Sequence, residues 1–204
     1  MTKSREAALD AAARLAAAPV MGRDPIPTVY RGVTFRSRLE ARWAVFWDAL
    51  EVPWLYEPEP LSVNGRLYLP DFFLPSAHGL GSSSRGLYVE IKPRELSAAE
   101  RSFFEGASDL ADRLLVLNGS CWPHQHGAFL VDAHGGHSFD SSHWDEDAFF
   151  GQCRRCGRPW LVSLDFWWAL WGCKPDCTNF GDKMPVEPVT AYVVARAARF
   201  WVGS

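Results

Sequence analysis

The sequence lacks an unbroken apolar run long enough to cross a membrane, which takes about 18 residues or more. The alanine-rich start, residues 1–22, is interrupted by Asp10 and Arg14. It therefore lacks the continuous apolar core of a secretory signal peptide. No segment is repeated along the chain. These absences predict a cytoplasmic protein without a membrane partner.

A strong charge of one sign is also lacking. The net charge of −3 over 204 residues gives no global sign of nucleic-acid binding, so any DNA-facing surface must be local. One local basic stretch, YRGVTFRSRLEAR at 30–42, holds a single acid, Glu40. Its candidate phosphate contacts, or alternatively an ordinary solvated helix face, are Arg31, Arg36, Arg38 and Arg42.

Cysteines are few, five in all, and in an intracellular chain they favour metal ligands over disulfides. Four form a C-x₂-C pair and a C-x₃-C pair, namely Cys153, Cys156, Cys173 and Cys177. Such pairs predict one structural, tetrahedral Zn²⁺, which would supply about 10 kcal/mol of folding free energy to a short segment. Free buried thiols or two local disulfides are the alternatives. Candidate DNA contacts beside the first pair are Arg154, Arg155 and Arg158.

The remaining composition, 48% hydrophobic and 22% charged, predicts a chain with a sizeable core. Hydrophobic periodicity and capping signals predict an order of helix, three strands, helix and strand, which is typical of a mixed α/β layer. The predicted helices are 4–18, 38–50, 97–112 and 187–201; the predicted strands are 52–59, 66–74, 87–92 and 113–119, followed by a hairpin around Gly135–Gly136.

Four regions are expected along the chain. Residues 1–28 form an N-terminal helix and linker, and 29–145 form the core with its hairpin extension. Residues 146–182 form the zinc-binding unit, and 183–204 form a C-terminal helix that packs on the core.

Charged residues interrupt two apolar strand-like runs, YLPDFFL and LYVEIK. Side chains alternate along a strand, so Glu90 and Lys92 share a face, and Asp71 faces them if the two strands pair. Two carboxylates about 4 Å apart repel by about 4 kcal/mol at an effective dielectric near 20, which calls for a cation between them. Carboxylates with a backbone carbonyl and waters suit Mg²⁺ or Mn²⁺. The lysine would serve a water or a phosphate, as in metal-assisted phosphodiester hydrolysis.

The ordinary alternative for these residues is a solvated strand face with one ion pair. Pro70 removes a ladder donor, which predicts an edge position or a bulge that turns Asp71 toward the site. Three nearby aromatic residues are candidates for stacking on bases or for core packing: Trp54, Tyr56 and Tyr68. For Glu57 and Glu59 two roles remain open: a contribution to the cleft, or a turn at the end of the strand.

These residues also resemble a known family. The "PD" at 70–71, a spacer of eighteen residues and "EIK" at 90–92 resemble the PD-(D/E)XK nuclease superfamily. The predicted order of elements is similar to its restriction-endonuclease-like core. Over residues 29–120 the chain looks in particular like small phage-type and Tn7-transposase-type endonucleases of that superfamily.

The resemblance implies that Asp71, Glu90 and the Ile91 backbone carbonyl hold the metal and that Lys92 assists the nucleophilic water. It also implies a further acid on the first core helix, where Glu40 stands. However, "SRLE" at 37–40 is also a capping box, in which Glu40 would only bond the Ser37 amide.

The function expected is therefore a Mg²⁺- or Mn²⁺-dependent DNA endonuclease whose zinc unit is structural or contacts DNA. The alternative is a catalytically silent module with the nuclease fold, which binds DNA or joins an assembly in a phage or mobile-element complex. RNA or branched DNA as substrate, and a protein partner or a homodimer, remain open at this point.

Overall fold

The computed structural model of the protein describes residues 25–78, 85–107, 113–122, 126–130, 149–153, 159–162, 167–168 and 188–200. The predicted helix at 4–18, the predicted turn at Gly135–Gly136 and most of the zinc-binding segment lie outside the described residues. In the described part, no helix combines the length and apolarity needed to cross a bilayer.

The first helix, α1, spans Arg38–Ala49 and confirms the predicted helix at 38–50. The Ser37 hydroxyl caps it by accepting the Glu40 amide at 3.2 Å, as Ser does at many helix starts. Much of the helix is buried, including Trp43, Phe46 and Trp47. It ends where Glu51 turns into the left-handed region at φ 56°.

A mixed five-stranded sheet forms the centre of the molecule, in the order β3-β6-β7-β8-β9. All its neighbouring strands are antiparallel except β7 and β8, which are parallel. The five strands are Leu55–Tyr56 (β3), Phe72–His78 (β6), Arg85–Lys92 (β7), Leu114–Gly119 (β8) and His126–Leu130 (β9).

The described residues also form three smaller sheets. Two are hairpins, β1 with β2 and β4 with β5, and the third has three antiparallel strands in the order β10-β11-β12. Their bounds are Thr28–Tyr30 (β1), Val33–Phe35 (β2), Leu61–Val63 (β4), Arg66–Tyr68 (β5), Phe149–Gln152 (β10), Pro159–Val162 (β11) and Trp167–Trp168 (β12).

The predicted strand at 66–74 is in fact two strands that belong to different sheets. β5 ends at Tyr68 and β6 begins at Phe72, so no ladder runs through Pro70, which has no N–H to donate. The predicted bulge at Pro70 is therefore a break, and the register shift lies further on, between Leu74 and His78. Similarly, prolines on both sides limit the predicted strand at 52–59 to the two residues of β3.

The second helix, α2, spans Ala98–Glu105 and starts with the predicted capping box of Ser97 and Glu100. It is capped at Gly106, well before the predicted end at residue 112. The third helix, α3, spans Val189–Ala197 within the predicted 187–201, and Ala198 leaves the helix with ψ 130°.

Helices cover both faces of the sheet. One face carries the larger core cluster, where Phe72, Val89 and Leu115 pack with aromatic residues of α1 and with Tyr192 of α3. The other face carries a smaller cluster under α2 and the β4–β5 hairpin, which includes Tyr88 and Phe104. The prediction of a mixed α/β layer flanked by helices is thus confirmed.

Candidate functional site

The pairing of β6 with β7 brings Asp71 beside Glu90. Phe72 lies opposite Val89, so the residue before Phe72 lies at the level of Glu90 in this antiparallel pair. The Ile91 amide donates to Asp71 Oδ2 at 2.7 Å. Both carboxylates are buried, with exposures of 2% for Asp71 and 6% for Glu90. The predicted approach of the two acids is confirmed.

Glu90 and Lys92 share a face of β7, as strand alternation predicted. Lys92 Nζ lies 2.7 Å from Glu90 Oε1. The other oxygen, Glu90 Oε2, accepts the Tyr68 hydroxyl at 2.6 Å. Burial and the neighbouring Glu90 raise the pKa of Tyr68, so this hydroxyl keeps its proton and fixes the rotamer of Glu90.

Glu40 lies in the first turn of α1 and is bound on both oxygens. Its Oε1 accepts the Ser37 hydroxyl at 2.6 Å, and its Oε2 accepts the Tyr56 hydroxyl at 2.6 Å and the Arg36 amide at 3.2 Å. The amide that Glu40 binds thus belongs to Arg36, one residue before the expected capping-box partner. A carboxylate offers about four lone-pair positions, so Glu40 retains one for a further ligand.

Arg36 contacts the acidic group while more than half of its side chain stays exposed. Its guanidinium contacts Asp71 Oδ1 at 2.5 Å and Glu57 Oε1 at 2.8 Å. Glu57 has a left-handed φ of 45°, and its amide donates to the Asp71 carbonyl at 2.9 Å. Glu57 therefore belongs to the site through its contact with Arg36.

The charges of this site are not balanced by its own cations. Burial, followed by the negative charges of Glu90 and Glu40, raises the pKa of Asp71 to about 8. The Ile91 amide and Arg36 act in the opposite direction but do not outweigh this, since more than half of the Arg36 side chain is exposed and its charge is screened by water. Asp71 is therefore protonated far more readily near neutral pH than an ordinary aspartate, even though Arg36 contacts it.

Pro70 limits the hydrogen bonds that β7 can form beyond the start of β6. Continuing the register of β6 and β7 by two residues places Pro70 opposite Ile91. In an antiparallel ladder, hydrogen-bonded residues exchange both N–H···O bonds. Pro70 has no N–H to give to the Ile91 carbonyl, and the Asp71 side chain takes the Ile91 amide instead. The Ile91 carbonyl therefore receives no ladder hydrogen bond from Pro70.

The donor atoms fit a hard divalent cation. Two carboxylates and a backbone carbonyl are the ligands that Mg²⁺ and Mn²⁺ prefer. Among the described residues, no group of three or more His, Cys, Asp or Glu side chains is arranged to hold a metal. Binding would accordingly require Asp71 to exchange its proton and its Arg36 contact for the cation, with Glu40 at most an additional ligand.

The other predicted contacts are dispersed. Arg31 pairs with Asp48 at 2.9 Å, Arg38 is exposed and Arg42 is half-buried on α1. Cys153 follows β10 and is half-buried. The remaining predicted zinc and DNA-binding residues lie outside the described segments: Cys156, Cys173, Cys177, Arg154, Arg155 and Arg158.

The roles of Tyr56 and Tyr68 as hydrogen-bond donors to Glu40 and Glu90 were missed from the sequence. Only their positions in predicted strands pointed to these roles, and using that information required knowing which strands pair.

A surface cavity of about 480 Å³ is lined in part by Trp54, Tyr56 and Glu57. Because Tyr56 and Glu57 also contact Glu40 and Arg36, this cavity adjoins the acidic group.

The raised pKa of Asp71 predicts a pH-dependent stability in metal-free buffer. An unfolded Asp has a pKa of about 4, so between pH 4 and 8 the folded protein holds a proton that the unfolded chain releases. This contribution to stability is lost as the pH rises toward the folded pKa of about 8. Asp71→Asn should therefore resemble wild type at pH 5 and melt at a higher temperature than wild type at pH 9, in thermal unfolding with EDTA. A difference that stays constant across this range would contradict the assignment.

Comparisons with known proteins add no family assignment. No family model matches the sequence, and the comparisons with curated proteins and with solved structures found no match either. A function for the site therefore has to be argued from its geometry and chemistry.

Proposed function

We propose that the protein is a Mg²⁺-dependent endonuclease that hydrolyses DNA phosphodiester bonds by a PD-(D/E)XK mechanism on a restriction-endonuclease-like core. One observation carries the proposal. The Ile91 amide fixes Asp71 beside Glu90, and Lys92 stands 2.7 Å from Glu90. Two adjacent buried carboxylates with a lysine at their edge suit phosphodiester chemistry better than they suit stability, because each buried charge is costly.

The residues that would hold the cation are Asp71, Glu90 and the Ile91 carbonyl, with Glu40 as an additional ligand. A bound Mg²⁺ or Mn²⁺ supplies a Lewis acid for the phosphoryl oxygen and lowers the pKa of water. Tyr68 keeps Glu90 oriented through its 2.6 Å hydrogen bond. Such supporting contacts commonly change metal affinity by about 10- to 100-fold.

Lys92 is proposed to orient the attacking water and to stabilise negative charge on the phosphate. Its ammonium carries three donors and no acceptor, and one donor is used by Glu90. About a quarter of its side chain is exposed, so the remaining donors are within reach of a substrate. Arg36 keeps Asp71 in place until a cation binds.

The four cysteines are proposed to bind one structural Zn²⁺ in a unit that either stabilises the chain or adds DNA contacts through Arg154, Arg155 and Arg158. Cys153 directly follows β10, whose Phe150 is fully buried in the larger core cluster. Zinc bound there would be anchored to the core. The protein is further proposed to act in the cytoplasm, with a protein partner or as a homodimer.

A second candidate is a catalytically silent module of the same fold that binds DNA or joins an assembly. It is favoured by the pairing of each strand carboxylate with a basic side chain, Asp71 with Arg36 and Glu90 with Lys92. A site that had lost its cation would be stabilised by such pairs. Cleavage distinguishes the two candidates.

Wild type should nick plasmid DNA with Mg²⁺ or Mn²⁺ and not with EDTA. Lys92→Ala should reduce the rate by about 10²- to 10⁴-fold, the usual contribution of a group that assists proton transfer. The matched control is Arg94→Ala, which removes a positive charge two residues later from an exposed ion pair with Glu100. Such surface pairs contribute little to stability, so this variant should cleave as wild type does.

The substrate panel should include duplex, single-stranded and branched DNA and RNA, with the ends of products mapped. Absence of metal-dependent cleavage on all of them would make the binding module the better assignment. Equal loss of activity in Lys92→Ala and Arg94→Ala would show that charge near the strand end matters, and would contradict a specific role for Lys92.

Pro70→Ala tests the Ile91 carbonyl as a metal ligand. The new amide can donate to the Ile91 carbonyl and extend the ladder, so we expect stability to be maintained and the Mg²⁺ requirement for cleavage to rise by about tenfold. Pro75→Ala is the matched control, since Pro75 is an exposed residue of the same strand. An unchanged Mg²⁺ dependence in Pro70→Ala would mean that the carbonyl is not a ligand.

A further inference from the structure

Three arginines gather on the side of α1 that faces away from the acidic group. Arg38 and Arg42 are one turn apart, and a rotation of about 100° per residue places both about 160° around the helix from Glu40. Helix α3 packs against α1 and brings Arg196 close enough to Arg42 to act on its charge. We name Arg38, Arg42, Arg196 and Trp122 the arginine patch.

The arginines of the patch differ in exposure and in their described contacts. Arg38 is exposed, and neither it nor Arg42 forms an ion pair with an acid that the structure describes. Arg42 is half-buried, and its Nε is a buried donor without a hydrogen-bond partner among the described residues. The Arg196 guanidinium lies 5.3 Å from the centre of the Trp122 ring, a cation–π distance.

This arrangement costs stability in the isolated protein. Burial, then Arg196 and Arg38, lower the pKa of Arg42. Like charges four residues apart on a helix repel each other, and the positive end of the helix dipole disfavours cations in the first turns. An anion bound at the patch would offset both of these unfavourable interactions.

We propose that the arginine patch is a second binding site for the phosphate backbone of a nucleic acid, separate from the acidic site. Guanidinium groups bind phosphate through paired N–H donors, and the exposed Arg38 side chain offers such donors at the surface. The Arg196 guanidinium lies over the Trp122 ring, 5.3 Å from its centre. Contacts of this kind position a backbone without reading its sequence.

The choice of nucleic acid over other phosphate-bearing ligands rests on the proposed function. A nucleic acid extends far beyond the bond that is cut, so a patch on another side of α1 can hold the same molecule. With a net charge of −3, the protein has no global attraction for DNA, and a local patch would therefore supply a large part of its affinity.

The test is the salt dependence of binding, measured by fluorescence anisotropy with a labelled 30-base-pair duplex in EDTA, where no cleavage occurs. Each lost phosphate contact should reduce the slope of log K against log salt by about one. Arg38→Gln should therefore reduce the slope by about one and Arg38→Gln/Arg42→Gln by about two, with weaker binding at low salt. Arg38→Gln alone changes only an exposed side chain, so it tests the patch even if the double variant fails to fold.

Arg113→Gln is the matched control. The Arg113 guanidinium also lies over an aromatic ring, 5.4 Å from the centre of Tyr88. Its Nε is also buried without a described partner, and Arg113 is not a member of the arginine patch. A slope in Arg38→Gln equal to that in Arg113→Gln, or a wild type that does not bind the duplex, would overturn the inference. Reduced slopes in a protein that never cleaves would support the patch and refute the nuclease, whereas cleavage with unchanged slopes would do the reverse.

Discussion

The hydrogen bond from the Ile91 amide to the Asp71 carboxylate is the contact on which the candidate site depends. It replaces a ladder bond at the point where Pro70 interrupts the pairing of β6 with β7. Because the Asp71 side chain stands in for a strand partner, its carboxylate is buried at the level of Glu90. The crowding of negative charge, the raised pKa of Asp71 and the recruitment of Arg36 all follow from that placement.

The site therefore carries more negative than positive charge, and a bound cation would offset the difference. Arg36 and Lys92 each contact one strand carboxylate, while Glu40 is held by Ser37, Tyr56 and the Arg36 amide. In the proposed endonuclease a divalent cation would displace the Asp71 proton and the Arg36 contact, whereas in a silent module both would stay. The arginine patch, by contrast, lies on the opposite side of α1 and brings three cationic side chains together, which is the basis for proposing it as a phosphate-binding surface.

Local sequence patterns correctly predicted where α1 and α2 start, that Glu90 and Lys92 share one face of a strand, and the mixed α/β order. They did not predict contacts between segments that are distant in sequence. The division of 66–74 depends on two different partner strands, β4 for one half and β7 for the other. The ion pairs of Arg36 were not foreseen because its acidic partners come 21 and 35 residues later. The local capping rule for Glu40 likewise did not foresee the Tyr56 hydroxyl.

The most direct test of the central claim, that Asp71 and Glu90 form a cation site, is calorimetric titration of the protein with Mn²⁺ near pH 7 in buffers of different ionisation enthalpy. The account predicts that one Mn²⁺ binds and that its binding releases close to one proton, since Asp71 must give up the proton that its pKa of about 8 lets it hold. Asp71→Asn should bind more weakly and release none. Binding that leaves the Asp71 proton in place, or that is equally strong in Asp71→Asn and Glu90→Gln, would contradict the claim.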